Sequence, residues 1–141
     1  MINLKESLLC HNGFVENEFL ENYCRIIERN TRTSRIARIT NSHHIIPKSW
    51  FKINKLPVDN TLTNLVNLRY RDHVLAHYYL CFCTTGPLQY ANELAFICLT
   101  GRKKLNNTEK LLISRLPMYN IIYENCRKHR NYNVDLGGKT Q

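Results

Sequence analysis

The 141-residue sequence contains no apolar run near the ~20 residues needed to cross a bilayer, so no transmembrane helix is expected. Its first residues, Met1-Ile2-Asn3-Leu4-Lys5-Glu6-Ser7-Leu8-Leu9, lack the long apolar core of a secretory signal. A soluble, intracellular protein is the expectation. No two of the six cysteines (Cys10, Cys24, Cys81, Cys83, Cys98 and Cys126) have the C-x-x-C spacing of a zinc knuckle. Most lie in apolar, helical contexts, where a thiol acts as a small hydrophobe, and reduced, mostly buried thiols are expected. Cys81 and Cys83 are two apart on a predicted helix and do not face each other, so they are read as packing residues. No internal repeat or low-complexity segment appears. The length and the 43% hydrophobic fraction suit one compact domain over 1–141 that needs no staples.

Acidic residues are also scarce. Eleven Asp and Glu stand against twenty Lys and Arg, a formal net charge of +9. Such a surplus on a small domain attracts polyanions, of which nucleic acid is the commonest.

Apolar residues at 15, 19, 20, 23, 26 and 27 recur at helical spacing, and a helix over about 14–29 is predicted, capped by Asn17 or Asn12. Residues 30–42 are polar and Arg-rich and read as a loop or edge strand. The run from His43 to Ile46 looks extended and ends at Pro47. Residues 48–63 hold Pro57, Asp59 and Asn60 and read as a long loop, with Trp50 and Phe51 packed over the core. Asn64 to Leu68 reads as a short strand. Asp72 then opens a helix over His73 to about Cys83, with one of Tyr78 and Tyr79 buried and the other exposed, stopped by Thr84-Thr85-Gly86-Pro87. Further helices are predicted over about 88–128, broken at Gly101 and Pro117, and the polar tail 131–141 is expected to fray. The motif region is therefore strand, long loop, strand, helix, with helical flanks.

Four of the six histidines fall within 35 residues: His43, His44, His73 and His77. His73 and His77 are spaced i, i+4, which places both rings on one helix face, close enough to share a metal ion. The zinc-protease version of this spacing needs Glu directly after the first His as its base. Val74 stands there, so that chemistry lacks its base. His43 and His44 are adjacent in a predicted strand, where neighbouring side chains point to opposite faces. One can bind metal while the other faces substrate. Phosphodiester hydrolysis requires this division, with a metal to neutralise the phosphate and a neutral imidazole to take a proton from water.

The segments His43-His44-Ile45-Ile46-Pro47-Lys48-Ser49, Asn64-Leu65-Val66-Asn67-Leu68 and Asp72-His73-Val74-Leu75-Ala76-His77 together resemble the HNH, or ββα-metal, endonuclease motif. The resemblance covers about 41–80 and is to small phage and bacterial members and, in its histidines, to the colicin DNases. It implies an α+β fold, a ββα-metal core with added flanking helices. It implies a metal-dependent DNA endonuclease in the cytoplasm of a bacterial or phage-infected cell. His43 becomes the first metal ligand, His73 and His77 the helix ligands, His44 the general base and Asn64 the brace that orients it. Asn67 rivals Asn64 for that middle position, and Asn60 reads as a turn residue. One divalent ion is implied, Mg²⁺ or Mn²⁺ first, with Zn²⁺ or Ni²⁺ also accepted by an all-imidazole site.

The sequence departs from the pattern at Asn41, where many members carry an acid two positions before the His pair. Asp72 is read as the N-cap of the motif helix, with a contact to an imidazole as its alternative. Arg32, Arg35 and Arg38, just before the motif, and Lys48, just after Pro47, are the expected DNA contacts. Other clusters, Arg102-Lys103-Lys104 and Arg127-Lys128 with Arg130, rank below them. His11 and His129 are assigned no site role. The alternatives are a DNA-binding module with a structural metal, or a ribonuclease on the same scaffold. Either a monomer or a homodimer fits.

Overall fold

The computed structural model describes residues 3–36, 39–101 and 105–137, with side chains as far as 128. Among these residues the fold is α+β, with seven helices and one two-stranded antiparallel sheet. No described helix is long and apolar enough to cross a membrane.

The chain opens with a short helix absent from the sequence prediction, α1 (Leu4–Leu9), started by a capping box between Asn3 and Glu6. Helix α2 (Glu18–Arg29) begins four residues later than its periodicity suggests. Asn17 rather than Asn12 caps it, accepting from Leu20 N, and its Nδ2 donates to Phe82 O across the fold. Phe14 instead forms an isolated bridge with Thr84, and Gly13 O accepts from Thr85 N. Gly13 has φ +95°, and a Cβ there would meet Leu88 Cδ2 at 3.0 Å, so both backbone conformation and space favour glycine. One face of α2 is buried through Leu20, Tyr23, Cys24, Ile26 and Ile27, roughly 1.5–3 kcal/mol for each large apolar side chain.

Strand β1 (Thr40–His44) pairs with β2 (Leu65–Arg69) in the register His43 to Val66 and His44 to Leu65. The intervening stretch is not the uninterrupted loop its composition suggests. Helix α3 (Lys48–Ile53) follows Pro47, whose φ of −58° suits a helix entrance. It ends with Lys55 at φ +58°, Leu56 N bonding to Phe51 O and Lys55 N to Lys52 O, a left-handed C-terminal cap. Trp50 and Phe51 thus lie on a helix; Phe51 is buried, and Trp50 packs edge-on to His11 and donates to Asn12.

Helix α4 (Tyr70–Phe82) follows β2 without a loop. Arg69, not Asp72, is its N-cap residue. Asp72 stands in the first turn, where a negative charge suits the helix dipole, and its carboxylate binds Arg29 at 2.7 Å and Asn30 at 3.0 Å rather than an imidazole. This ties the end of α2 to the start of α4.

Helices α5 (Gly86–Thr100), α6 (Asn107–Ser114) and α7 (Tyr119–Gly137) complete the fold. The stretch 131–137, expected to fray, continues α7. Two apolar clusters meet at α4. Ala76 and Leu80 join α1, α2 and the sheet, while Val74, Tyr78 and Cys81 join α5 and α7. A helix buried on two sides is apolar on two sides, unlike one-faced α2. Tyr79 is half-buried and touches both clusters. Cys24, Cys81, Cys83 and Cys126 are buried, Cys10 and Cys98 are exposed, and none of the six is in a disulfide.

Candidate metal centre

The i, i+4 spacing of His73 and His77 puts both rings on the face of α4 that meets β1, and His43 reaches them from the strand. The ring centroids lie 5.3 Å (His43–His73), 5.0 Å (His43–His77) and 4.8 Å (His73–His77) apart. One nitrogen from each ring can be chosen so that all three lie within 4.8 Å of one another, which lets these residues hold one ion. His43 and His73 are 3% and 9% exposed, so the cluster is the floor of the site rather than its rim.

Burial holds His43 and His77 neutral. Desolvation, then the neighbouring imidazoles of His77, His73 and His44, pushes His43 well below the usual histidine range. Desolvation and then His73 push His77 down to about 3. A neutral imidazole keeps the lone pair that a cation needs.

Each ring's orientation has an identifiable partner. His43 Nε2 meets the Tyr23 hydroxyl at 2.8 Å. His73 Nδ1 donates to Asn41 Oδ1 at 3.1 Å, so its Nε2 carries the lone pair, 3.2 Å from His77 Nε2. Asn41, notable in the sequence only for not being an acid, supplies an acceptor to a ring of the cluster. His77 Nδ1 is the single fully buried side-chain nitrogen or oxygen among the described residues without a hydrogen-bond partner. Such an orphan is uncommon in a folded interior and marks a place built for something besides the protein's own groups. On donor type, spacing, the neutrality of His43 and His77, and this orphan, the three histidines fit a divalent cation.

His43 and His44 keep the alternation of the strand in burial, the first buried and the second half-buried. Both nevertheless border the same cavity, of about 490 Å³, together with His73 and His77. His44 turns toward the loop, its Nε2 2.7 Å from Asn60 Oδ1. A carboxamide oxygen accepts, so Nε2 carries the proton and Nδ1 the lone pair. Asn60 is therefore not merely a turn residue. Its place depends on Asn64, which is buried and accepts from Ile46 N at 2.8 Å while donating to Ile46 O and Asp59 O at 3.2 and 3.0 Å. Asn64 thus ties the residue preceding Asn60 to the chain two residues beyond His44. Asn67 donates instead to Thr33 O, holding the Arg-rich loop against β2.

Lys48 lines the cavity, as does Lys52, one helical turn on. Lys52 is invisible as a site residue while 48–63 is read as loop. Arg32 and Arg35 are exposed in the segment between α2 and β1 and do not line the cavity. Arg38 lies outside the described residues, as do Arg102, Lys103 and Lys104. Arg29 is engaged by Asp72 and Arg25 by Asn22. His11 donates to or accepts from nothing in the cavity; its Nδ1 meets Ser7 O.

Comparison with protein-family models, with curated proteins and with solved structures finds no match.

Proposed function

We propose that the chain is a metal-dependent endonuclease of the HNH, or ββα-metal, type that hydrolyses phosphodiester bonds in DNA. The observation that carries this reading is the convergence of three imidazoles, those of His43, His73 and His77, with the fourth of His44 on one cavity that two lysines also line. In this reading β1, β2 and α4 are the ββα core, and His43, His73 and His77 hold the ion. A divalent cation there supplies charge neutralisation for the scissile phosphate and the leaving oxygen.

The chain's own residues do the rest. His44 takes a proton from the attacking water onto Nδ1, the nitrogen left basic when Nε2 donates to Asn60. Asn64 fixes the loop that carries Asn60. Lys48 and Lys52 bind phosphate oxygens at the cavity wall, and Arg32 and Arg35 extend the basic path along the backbone. The net charge of +9 supports a polyanionic substrate, and activity falls as salt rises. A purely structural metal usually takes four protein ligands, whereas the cluster here offers three, which leaves a position for substrate or water.

The test is incubation of supercoiled plasmid with the protein and Mg²⁺, Mn²⁺, Zn²⁺ or Ni²⁺ against an EDTA control, with RNA digested alongside. Nicking that requires metal and is lost in His44→Ala is expected. Metal binding without cleavage makes the chain a binding module, and preferential loss of RNA makes it a ribonuclease. Wild-type cleavage by His44→Ala removes His44 as the base.

A further inference from the structure

Tyr23 is the buried polar group next to the cluster that the proposed chemistry does not use. It lies on α2, wholly buried, and its hydroxyl makes two contacts, 2.8 Å to His43 Nε2 and 2.6 Å to Ile45 O. A phenol has one proton and a backbone carbonyl can only accept. The short contact to Ile45 therefore uses the Tyr23 proton, and the bond to His43 must be donated by Nε2–H to the phenolic oxygen. A neutral imidazole carries one N–H, so the lone pair of His43 is on Nδ1. Partners of this kind fix which nitrogen of a histidine meets a metal.

We propose that Tyr23 is a positioning residue that sets the tautomer of His43, so that His43 binds the ion through Nδ1. The proposal rests on the reading of His43 as a metal ligand. The same hydroxyl also holds Ile45, the residue after His44. One buried oxygen thus registers the ligand His43 and the backbone that carries His44. In contrast, the Asn41 contact leaves Nε2 as the lone-pair nitrogen of His73. His43 and His73 accordingly present different ring nitrogens, each selected by its own outer partner.

Nitrogen-detected NMR of ¹⁵N-histidine-labelled, EDTA-treated protein tests the tautomer without any metal. His43 is expected as the Nε2–H form, with a ring proton shielded from exchange; an Nδ1–H form overturns the proposal. Tyr23→Phe removes only the oxygen. Calorimetric titration with Zn²⁺ is expected to show about tenfold weaker binding than wild type, the lower end of the effect of such outer partners. Tyr78→Phe is the control, since Tyr78 is a buried tyrosine whose hydroxyl meets Met118 N and no histidine. It is expected to bind Zn²⁺ as wild type does. Equal losses in the two variants, or none in Tyr23→Phe, overturn the positioning role. A wild-type protein that binds neither Zn²⁺ nor Mn²⁺ instead overturns the metal site itself, and the tautomer measurement tells these failures apart.

Discussion

The floor and the rim of the cavity are built differently. On the floor, His43, His73 and His77 project from a strand and a helix that pack directly; His43 and His73 are buried, and desolvation holds the rings of His43 and His77 neutral. At the rim, His44 is half-buried and its ring is oriented by one exposed asparagine from a loop. Rigid elements hold a fixed set of donors within the short distances that a metal requires, whereas a group that must gain and lose a proton needs access to water. The difference predicts that damage to the floor removes affinity, while damage to the rim removes turnover and spares affinity.

The sharpest break of that comparison is His44→Ala, expected to lower plasmid cleavage by about 10²–10⁴-fold, the usual contribution of a positioned base. Zn²⁺ affinity should be unchanged. His73→Ala should do the reverse in order of cause, weakening Zn²⁺ by more than about 100-fold, beyond the loss seen for outer partners, with cleavage lost as a consequence. Calorimetry and cleavage rates on both variants check the pair. A His44→Ala protein that loses its metal would place that ring on the floor.

Acid should act on the floor through stability. In the unfolded chain a histidine titrates near 6.5, whereas folded His77 titrates near 3 and His43 also lies well below 6.5. Below pH 6.5 the unfolded state takes up protons that the folded state refuses, so stability is lost as pH falls toward 3 and is flat above 6.5 from this source. His77 alone accounts for about 1.4 kcal/mol per pH unit in that window. Carboxylates titrate mostly below pH 5.5. Urea unfolding of the metal-free protein at pH 7.5 and 5.5 measures the slope, and an unchanged midpoint would contradict the buried neutral rings.

Asn60→Ala probes the rim more gently. Cleavage should drop about tenfold as the His44 ring loses its orientation, with stability altered by no more than about 0.5 kcal/mol, as for most exposed positions. The smallest effect is remote from both. Lys55→Gly relieves a left-handed backbone at the end of α3 and should raise the unfolding free energy by about 1 kcal/mol without changing Zn²⁺ binding. Denaturant curves check each.

Several parts of the molecule were legible in the residues because they depend on short-range repetition. The i, i+4 pair His73 and His77, the amphipathic run behind α2 and the stop at Thr84-Thr85-Gly86-Pro87 follow from local pattern, whereas of the extended run expected over 43–46 only His43 and His44 lie in β1, which begins at Thr40. Helix α3 was hidden because six residues are too few to show a period, and its end is set by Lys55 in a conformation that lysine rarely adopts. Asp72 does not show its place in sequence, because an acid in the first turn and an acid at the N-cap look alike there, while its carboxylate answers to Arg29, 43 positions away.

By itself, then, the sequence determined that four imidazoles, side chains able to bind metal or carry protons, lie close together in the chain, that two of them share a helix face, and that two are neighbours on a strand. Only the tertiary structure decided that His43 meets that helix face, that Tyr23 and Asn41 bind the strand and helix rings, and that Asn60 rather than a more distant group meets His44. The reason is physical. Periodicity fixes direction within one element, but the distance between elements is set by the packing of α2 and the sheet against α4. A hydrogen bond or a metal site is a statement about that distance.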